Sequence, residues 1–268
     1  MQQAEDFRAE CETLDALLAD LAPGDWTRET QFKRWRVDDV LVHLHFWNRM
    51  ADMALADPPR FAAQMAEIGP QMRAQGIRAM ENARIAERGP DLRAAWAGFW
   101  RDMAARWAGL DPRARVQWVG PDMSVRSAIT ARQMETWAHG QELFDLFGLD
   151  RVETDRIRNI VVLGVNTFGW SYRVRGAEPP PLRPELRLTA PSGAVWHFTE
   201  PGAAQAGRIA GAAVDFARVV TQTRNIADTG LRVSGAVARE WMAHAQCFAG
   251  PPETPPAPGS RHRADPAR

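Results

Sequence analysis

The stretch that decides the fold is residues 37–54, VDDVLVHLHFWNRMADMA, in which apolar side chains recur at helical spacing. The recurring positions are Val40, His43, Phe46, Trp47, Met50 and Ala54. Because these positions share one helix face, His43 is predicted to point into a helical core. His45 lies two residues further on, about 200° around the helix, and is expected to meet solvent.

The rest of the first two-thirds of the chain reads as further helices. Apolar stripes predict them near residues 7–21, 61–88, 92–110, 124–147 and 157–176. Breaks such as Pro23–Gly24, Gly89–Pro90 and Gly120–Pro121 separate them. Cys11 lies on the first stripe and is interpreted as a small core residue. Amphipathic helices with short connections predict an antiparallel helical bundle over residues 1–177.

Composition changes after the bundle, where Glu178 is followed by three prolines that read as a linker. Residues 181–250 are predicted to form a small α+β domain. Its strands are expected around 186–188 and 195–198, and its helices around 214–220 and 236–248. Residues 251–268 are rich in proline, arginine and small side chains and are expected to be disordered. The predicted fold class is therefore mainly α, with a helical bundle followed by a small α+β domain.

Composition also limits the partners. The formal net charge is zero, with 33 basic and 33 acidic residues, which disfavours nucleic-acid and acidic-membrane partners. Cys11 and Cys247 form no metal or redox spacing. The chain shows neither the start of a signal peptide nor an apolar run of roughly 20 residues, so the cytoplasm is the expected location. We therefore expect a small-molecule substrate, and the sequence does not indicate an oligomeric state.

A candidate metal site combines two of the predicted helices. Glu135 and His139 are four residues apart and share a face with Ala128, Ala131, Leu143 and Leu146. Burying a carboxylate and an imidazole is costly unless they are paired, and a divalent ion shared with His43 would compensate both. Three protein ligands with open positions are typical of a catalytic Zn²⁺ site, although Ni²⁺, Mn²⁺ and Fe²⁺ suit the same ligands.

Each of these residues also has a structural interpretation. His43 could be a hydrogen-bonded core histidine, and Glu135 with His139 a hydrogen-bonded pair on a helix surface. Asp39, one turn before His43, is either a second-sphere partner of the ligands or an acid at the helix N-terminus.

Two motifs resemble the DinB-like, mycothiol-dependent maleylpyruvate isomerase family. They are residues 35–44, WRVDDVLVHL, and residues 134–141, METWAHGQ. The resemblance implies a DinB-like bundle and places the family's metal triad on His43, Glu135 and His139. Residues 164–176 and 219–229 resemble an uncharacterised metal-binding subgroup whose C-terminal region carries a "wyosine base formation" label. Work on tRNA would favour a basic patch that this neutral chain lacks.

The resemblance also implies a function. In these isomerases a C-terminal arginine faces the metal, and the corresponding candidate is Arg224, whose other interpretation is a surface arginine after a helix. We expect a thiol-dependent metalloenzyme, an isomerase or thiol transferase, in which Zn²⁺ activates a low-molecular-weight thiol such as mycothiol or glutathione. The substrate, a small electrophile, is expected between the bundle and the C-terminal domain. The alternatives are a non-catalytic metal-binding protein and a hydrolase that uses metal-bound water.

Overall fold

Residues 1–146 form a mainly helical unit, the first of two units in the computed structural model. The structure describes residues 1–119 and 122–265. The helices of this unit are α1 (Gln2–Ala19), α2 (Val37–Ala56), α3 (Pro58–Gln75), α4 (Ile77–Asn82), α5 (Gly89–Ala108) and α6 (Val125–Leu146). Two short antiparallel strands of two residues each, β1 (Arg115–Val116) and β2 (Met123–Ser124), precede α6. The predicted break at Gly120–Pro121 lies outside the described residues.

The core of this unit follows the predicted stripes. Helices α1 and α2 each contact both α5 and α6, so that the four helices form a closed ring of contacts. The fully buried aromatic side chains of α5 are Trp96, Trp100 and Trp107, as the spacing predicts. Cys11 is buried on α1, and burial raises the pKa of its thiol. These contacts bring α2 and α6, which carry the predicted ligands, side by side.

One predicted helix is divided in the structure. The stretch expected to be helical from 61 to 88 forms α3 and α4, separated at Gly76. Gly76 has a φ of 85°, in the left-handed region that glycine adopts without strain, and this turn ends α3. As a result α4 is a separate short helix that packs against α2.

The second unit, residues 147–268, is mixed. Its helices are α7 (Arg158–Asn166), α8 (Phe168–Arg173), α9 (Ala203–Ala206), α10 (Ala213–Val220) and α11 (Ala236–His244). Its strands are β3 (Glu185–Thr189), β4 (Val195–Phe198), β5 (Arg208–Ala212) and β6 (Arg232–Ser234), in the sheet order β4-β3-β5-β6. Strand β3 pairs antiparallel with β4 and parallel with β5, and β5 pairs antiparallel with β6. The predicted fold class, mainly helical with a small α+β part, is confirmed.

The division between the units differs from the predicted boundary at residue 177. The boundary lies after Leu146, and α7 packs against α10 within the second unit. Gly164 allows that approach, since a Cβ there would lie 2.8 Å from a Val220 methyl carbon.

The C-terminal tail, which we expected to be disordered, is held to the second unit in its described part. The carbonyl of Glu253 accepts a hydrogen bond from Gln222 at 3.2 Å, and that of Pro256 accepts one from Asn225 at 2.8 Å. Residues 266–268 of that tail lie outside the described residues. Within the described part of the chain, no helix combines the length and apolar character needed to cross a membrane.

Candidate metal centre

Helix α2 delivers His43 to the interior of the first unit. The side chain is 9% exposed, and its two ring nitrogens have different partners. Nδ1 lies 2.8 Å from Glu81 Oε1, and Nε2 lies 3.2 Å from Glu135 Oε2. The predicted inward orientation of His43 is therefore observed.

Helix α6 delivers the other two predicted ligands one helical turn apart. His139 Nε2 lies 3.4 Å from Glu135 Oε2, the same oxygen that faces His43. One ligand atom from each of the three side chains lies within 4.8 Å of the other two. The three residues that we predicted as ligands thus converge on one point.

Two of the separations in this cluster match those expected around a small divalent ion. Ligand atoms about 2.1 Å from a tetrahedral centre are separated from one another by roughly 3.4 Å. The separations from Glu135 Oε2 to the two imidazole nitrogens, 3.2 and 3.4 Å, are close to that value. Two imidazoles and one carboxylate are also a donor set that first-row divalent metals accept. The Glu135 side chain is 19% exposed, so the cluster is not sealed from ligands.

Electrostatics distinguish the two imidazoles. Burial lowers the pKa of His43, but the charge of Glu81 and the hydrogen bonds to Glu135 and Glu81 outweigh it and raise that pKa to about 9. Burial lowers the pKa of His139, with the nearby His43 charge acting in the same direction. Burial opposes ionisation of Glu135, yet hydrogen bonds from His139 and His43 hold its pKa well below the usual range. The same carboxylate therefore faces one imidazole whose surroundings favour protonation and one whose surroundings disfavour it.

Glu81 on α4 lies next to the predicted ligand His43 and was not among the predicted site residues. Its Oε1 accepts hydrogen bonds from His43 Nδ1 and from Trp47 Nε1, the latter at 2.5 Å. One feature of the sequence could have identified Glu81. It lies four residues after Ile77 and four before Ile85, which places a carboxylate on an apolar helix face.

Arg132 is a second residue that the sequence analysis missed. It precedes Glu135 by one turn of α6, its side chain is 5% exposed, and its Nη2 lies 4.0 Å from Glu135 Oε1. Its guanidinium lies over the Trp118 ring, 5.6 Å from the centroid, and Nη1 has no hydrogen-bond partner among the described residues. Burial lowers the pKa of this group, and the charges of Glu135 and Glu81 oppose that change. The cluster therefore includes a buried guanidinium group whose Nη1 can still donate a hydrogen bond.

Aromatic rings enclose His139. Trp35 is stacked parallel to its imidazole with centroids 5.8 Å apart, and Phe32 meets it edge to face at 5.1 Å. These contacts restrict the ring's rotation and keep its position relative to Glu135.

The prediction for His45 was wrong. The residue is 6% exposed and meets Phe99 of α5 edge to face at 5.7 Å. Because α2 contacts α3, α4, α5 and α6, nearly its whole circumference is covered, and the face opposite His43 is not a solvent face.

The two remaining candidates, Asp39 and Arg224, are not among the three converging side chains. Asp39 accepts a hydrogen bond from the Arg36 backbone N–H at 2.9 Å and from Asn82 at 2.8 Å, the contacts of an acid at a helix N-terminus. Arg224 lies in the second unit, after α10, where its Nη1 donates to the Thr223 carbonyl at 2.8 Å. Its catalytic role stays a prediction.

Comparisons with known proteins agree with the motifs. The family described as the mycothiol maleylpyruvate isomerase N-terminal domain matches residues 7–144. An uncharacterised protein found in two strains of Mycobacterium tuberculosis is 35% identical over 248 residues, 92% of this chain and 95% of the relative.

Two solved structures share the fold. They are a mycothiol-dependent maleylpyruvate isomerase, with a TM-score of 0.55 and 16% identity, and its histidine-to-alanine mutant, with a TM-score of 0.51 and 17% identity. The matches cover 87% and 81% of this chain and 92% and 87% of those chains. Because the family match runs from α1 to α6 and includes all three converging residues, the chain belongs to the mycothiol maleylpyruvate isomerase N-terminal domain family.

Proposed function

We propose that this chain binds one divalent metal ion, Zn²⁺ in the first instance, through His43, Glu135 and His139, and that it is a thiol-dependent enzyme. The observation that carries the proposal is the convergence of three ligand atoms within 4.8 Å inside one unit. The substrate class that fits is a small electrophile, handled by isomerisation or by thiol transfer.

The proposed roles of the side chains follow from their contacts. A bound ion would supply the positive charge that lowers the pKa of a coordinated thiol. His43 and His139 hold their ring nitrogens toward Glu135, and Trp35 keeps His139 from rotating. The buried Arg132 offsets part of the negative charge of Glu135, and its Nη1 is available to hydrogen-bond an anionic group.

The thiol part of the proposal rests on the family. The matching family and both structural neighbours are described by mycothiol and by maleylpyruvate isomerisation, and we carry that chemistry over as a hypothesis. From its position in the chain, we propose that Arg224 binds a carboxylate group of the substrate.

A non-catalytic metal site is the main rival. Structural zinc sites normally close with a fourth protein ligand. In the described ranges, the cluster brings together three such side chains and no fourth histidine, cysteine or carboxylate ligand. This favours a site that keeps a position for an exogenous ligand, either a thiol or, in the hydrolase alternative, a water molecule.

A thermal-shift experiment on the zinc-loaded protein distinguishes a thiol-dependent site from a metal site that binds no thiol. We expect mycothiol, glutathione, bacillithiol or coenzyme A to raise the melting temperature, because a ligand that binds only the folded state stabilises it. The S-methyl derivative of the active thiol, which cannot form a thiolate, is the control and should have a smaller effect. If no thiol raises the melting temperature, or if the methylated form does so equally, the thiol-dependent reading is wrong.

A further inference from the structure

Glu81 is an unusually placed carboxylate. It lies on the short helix α4, its side chain is 1% exposed, and it is not one of the three converging ligands. Burying an ionised carboxylate costs several kcal/mol unless hydrogen bonds or charges compensate it. The contacts of Glu81 therefore show how this cost is reduced.

Among the described residues, the donors of both side-chain hydrogen bonds to Glu81 lie on α2. The donors, His43 Nδ1 at 2.8 Å and Trp47 Nε1 at 2.5 Å, are one helical turn apart and meet on the same oxygen, Oε1. An indole nitrogen can only donate, so Trp47 fixes the carboxylate from one side. The fixed carboxylate then accepts from His43, which fixes the imidazole.

We propose that Glu81 is a positioning residue for the metal centre: it keeps a proton on His43 Nδ1 and turns Nε2 toward Glu135 and His139. A neutral imidazole has one N–H group and one lone pair. In the neutral ring that would bind a metal ion, a carboxylate that accepts from Nδ1 leaves the lone pair on Nε2, the nitrogen that lies 3.2 Å from Glu135 Oε2. This inference rests on the proposed metal site.

The other acidic candidate near His43 does not fulfil this role. Asp39 is bonded to the start of α2 and to Asn82, and neither contact is to a predicted ligand. A carboxylate that orients a ligating histidine typically contributes 10–100-fold to metal affinity. For His43, the residue in contact with the ring is Glu81 on another helix, so α4 contributes to the site although it supplies no ligand.

The test compares zinc affinity in Glu81 variants, measured by competition with a chromogenic chelator at constant pH. We expect Glu81→Ala to weaken zinc binding by roughly 10–100-fold and Glu81→Gln by less, because the amide oxygen can still accept from Nδ1. The matched control is Glu67→Gln, the same change at a side chain that is 61% exposed and pairs with Arg84. It should bind zinc like the unaltered chain.

A spectroscopic measurement guards against loss of fold. In zinc-loaded protein with ¹⁵N-labelled histidine, the unaltered chain should show a His43 proton on Nδ1 and none on Nε2. Glu81→Gln should shift the Nδ1 resonance and lower zinc affinity by about threefold or more, so the proposal can be judged even if Glu81→Ala does not fold.

The outcomes are distinct. Unchanged affinity and an unshifted Nδ1 resonance in Glu81→Gln would overturn the role of Glu81 while leaving the metal site in place. An unaltered chain that binds no zinc would overturn both this inference and the proposed function.

Discussion

Two histidines of α2, separated by one residue, have opposite electrostatic surroundings. His43 faces Glu81 and Glu135, and its pKa is raised to about 9 against the effect of burial. Burial, together with the charge of Arg49, lowers the pKa of His45 to about 4. Its Nδ1 has no hydrogen-bond partner among the described residues. His45 is thus a neutral core residue, and its protonation would oppose folding.

This difference predicts how acid acts on stability. As the pH falls from 6.5 toward 4, the unfolded chain takes up a proton at His45 that the folded chain does not, so the free energy of unfolding decreases. Between pH 7 and pH 5 the expected loss from this residue is roughly 2 kcal/mol. His45→Phe should remove that loss, as measured by urea unfolding of the metal-free chain at both pH values.

The control is His197→Phe, because His197 is exposed on β4. It should keep the pH dependence of the unaltered chain. An identical loss of stability between pH 7 and pH 5 in His45→Phe and in the unaltered chain would contradict the assignment of His45 as a buried neutral group.

The same residues mark the limits of the sequence analysis at this scale. The inward orientation of His43, and its convergence with Glu135 and His139, could be predicted because helical periodicity places them on apolar faces. Periodicity cannot tell how many neighbours a helix has, which is why His45 was misplaced. Glu81 was missed because its partners are 34 and 38 positions away along the chain.

At the scale of elements, the contact between α7 and α10 decides which unit α7 joins. A Cβ on Gly164 would lie 2.8 Å from Val220 Cγ2, closer than real Cβ contacts, and 3.0 Å from Phe216 Cε1, which is unusually tight. The absence of a side chain therefore lets the two helices pack.

Replacing this glycine tests the contact. Gly164→Ala should lower the free energy of unfolding by about 1–3 kcal/mol, because overpacking a helix interface forces the backbones apart. Gly98→Ala on α5 is the matched control, since nothing lies within 4 Å of a Cβ there. It should stabilise the chain by about 0.5–1 kcal/mol through helix propensity. Equal effects in guanidinium unfolding would show that Gly164 is not needed for close packing.

Element prediction succeeded where one period dominates a segment. The apolar stripes of α1, α2 and α5 predicted those helices, and the strands β3 and β4 were found at their expected positions. Strands β5 and β6 were missed because small residues and Gly211 leave β5 without alternation, and β6 has only three residues. Their positions depend on pairing with β3 and with each other, which is tertiary information.

At the scale of the whole molecule, the chain has two units, and the candidate metal centre belongs to the first. The second unit carries Arg224, proposed to hold a substrate carboxylate. A residue with that role contributes to substrate binding or turnover without contributing to metal affinity.

Arg224→Ala should therefore lower turnover or substrate affinity by about tenfold or more, in an assay that pairs mycothiol with a small unsaturated carboxylate. Zinc content and melting temperature should stay unchanged. Arg187→Ala, at an exposed position on β3, is the matched control and should retain full turnover. Full turnover in Arg224→Ala would remove this residue from the proposed site.

The most direct test of the account is the metal content of the purified protein, measured by mass spectrometry before and after dialysis against a chelator. We expect about one divalent ion per chain and a lower melting temperature once the ion is removed. His139→Ala should lose both the ion and the effect of the chelator, whereas His197→Ala, with its exposed side chain, should keep both. A chain without bound metal that also takes up no added Zn²⁺, or a His139→Ala variant with full metal content, would contradict the central claim that His43, Glu135 and His139 hold one ion.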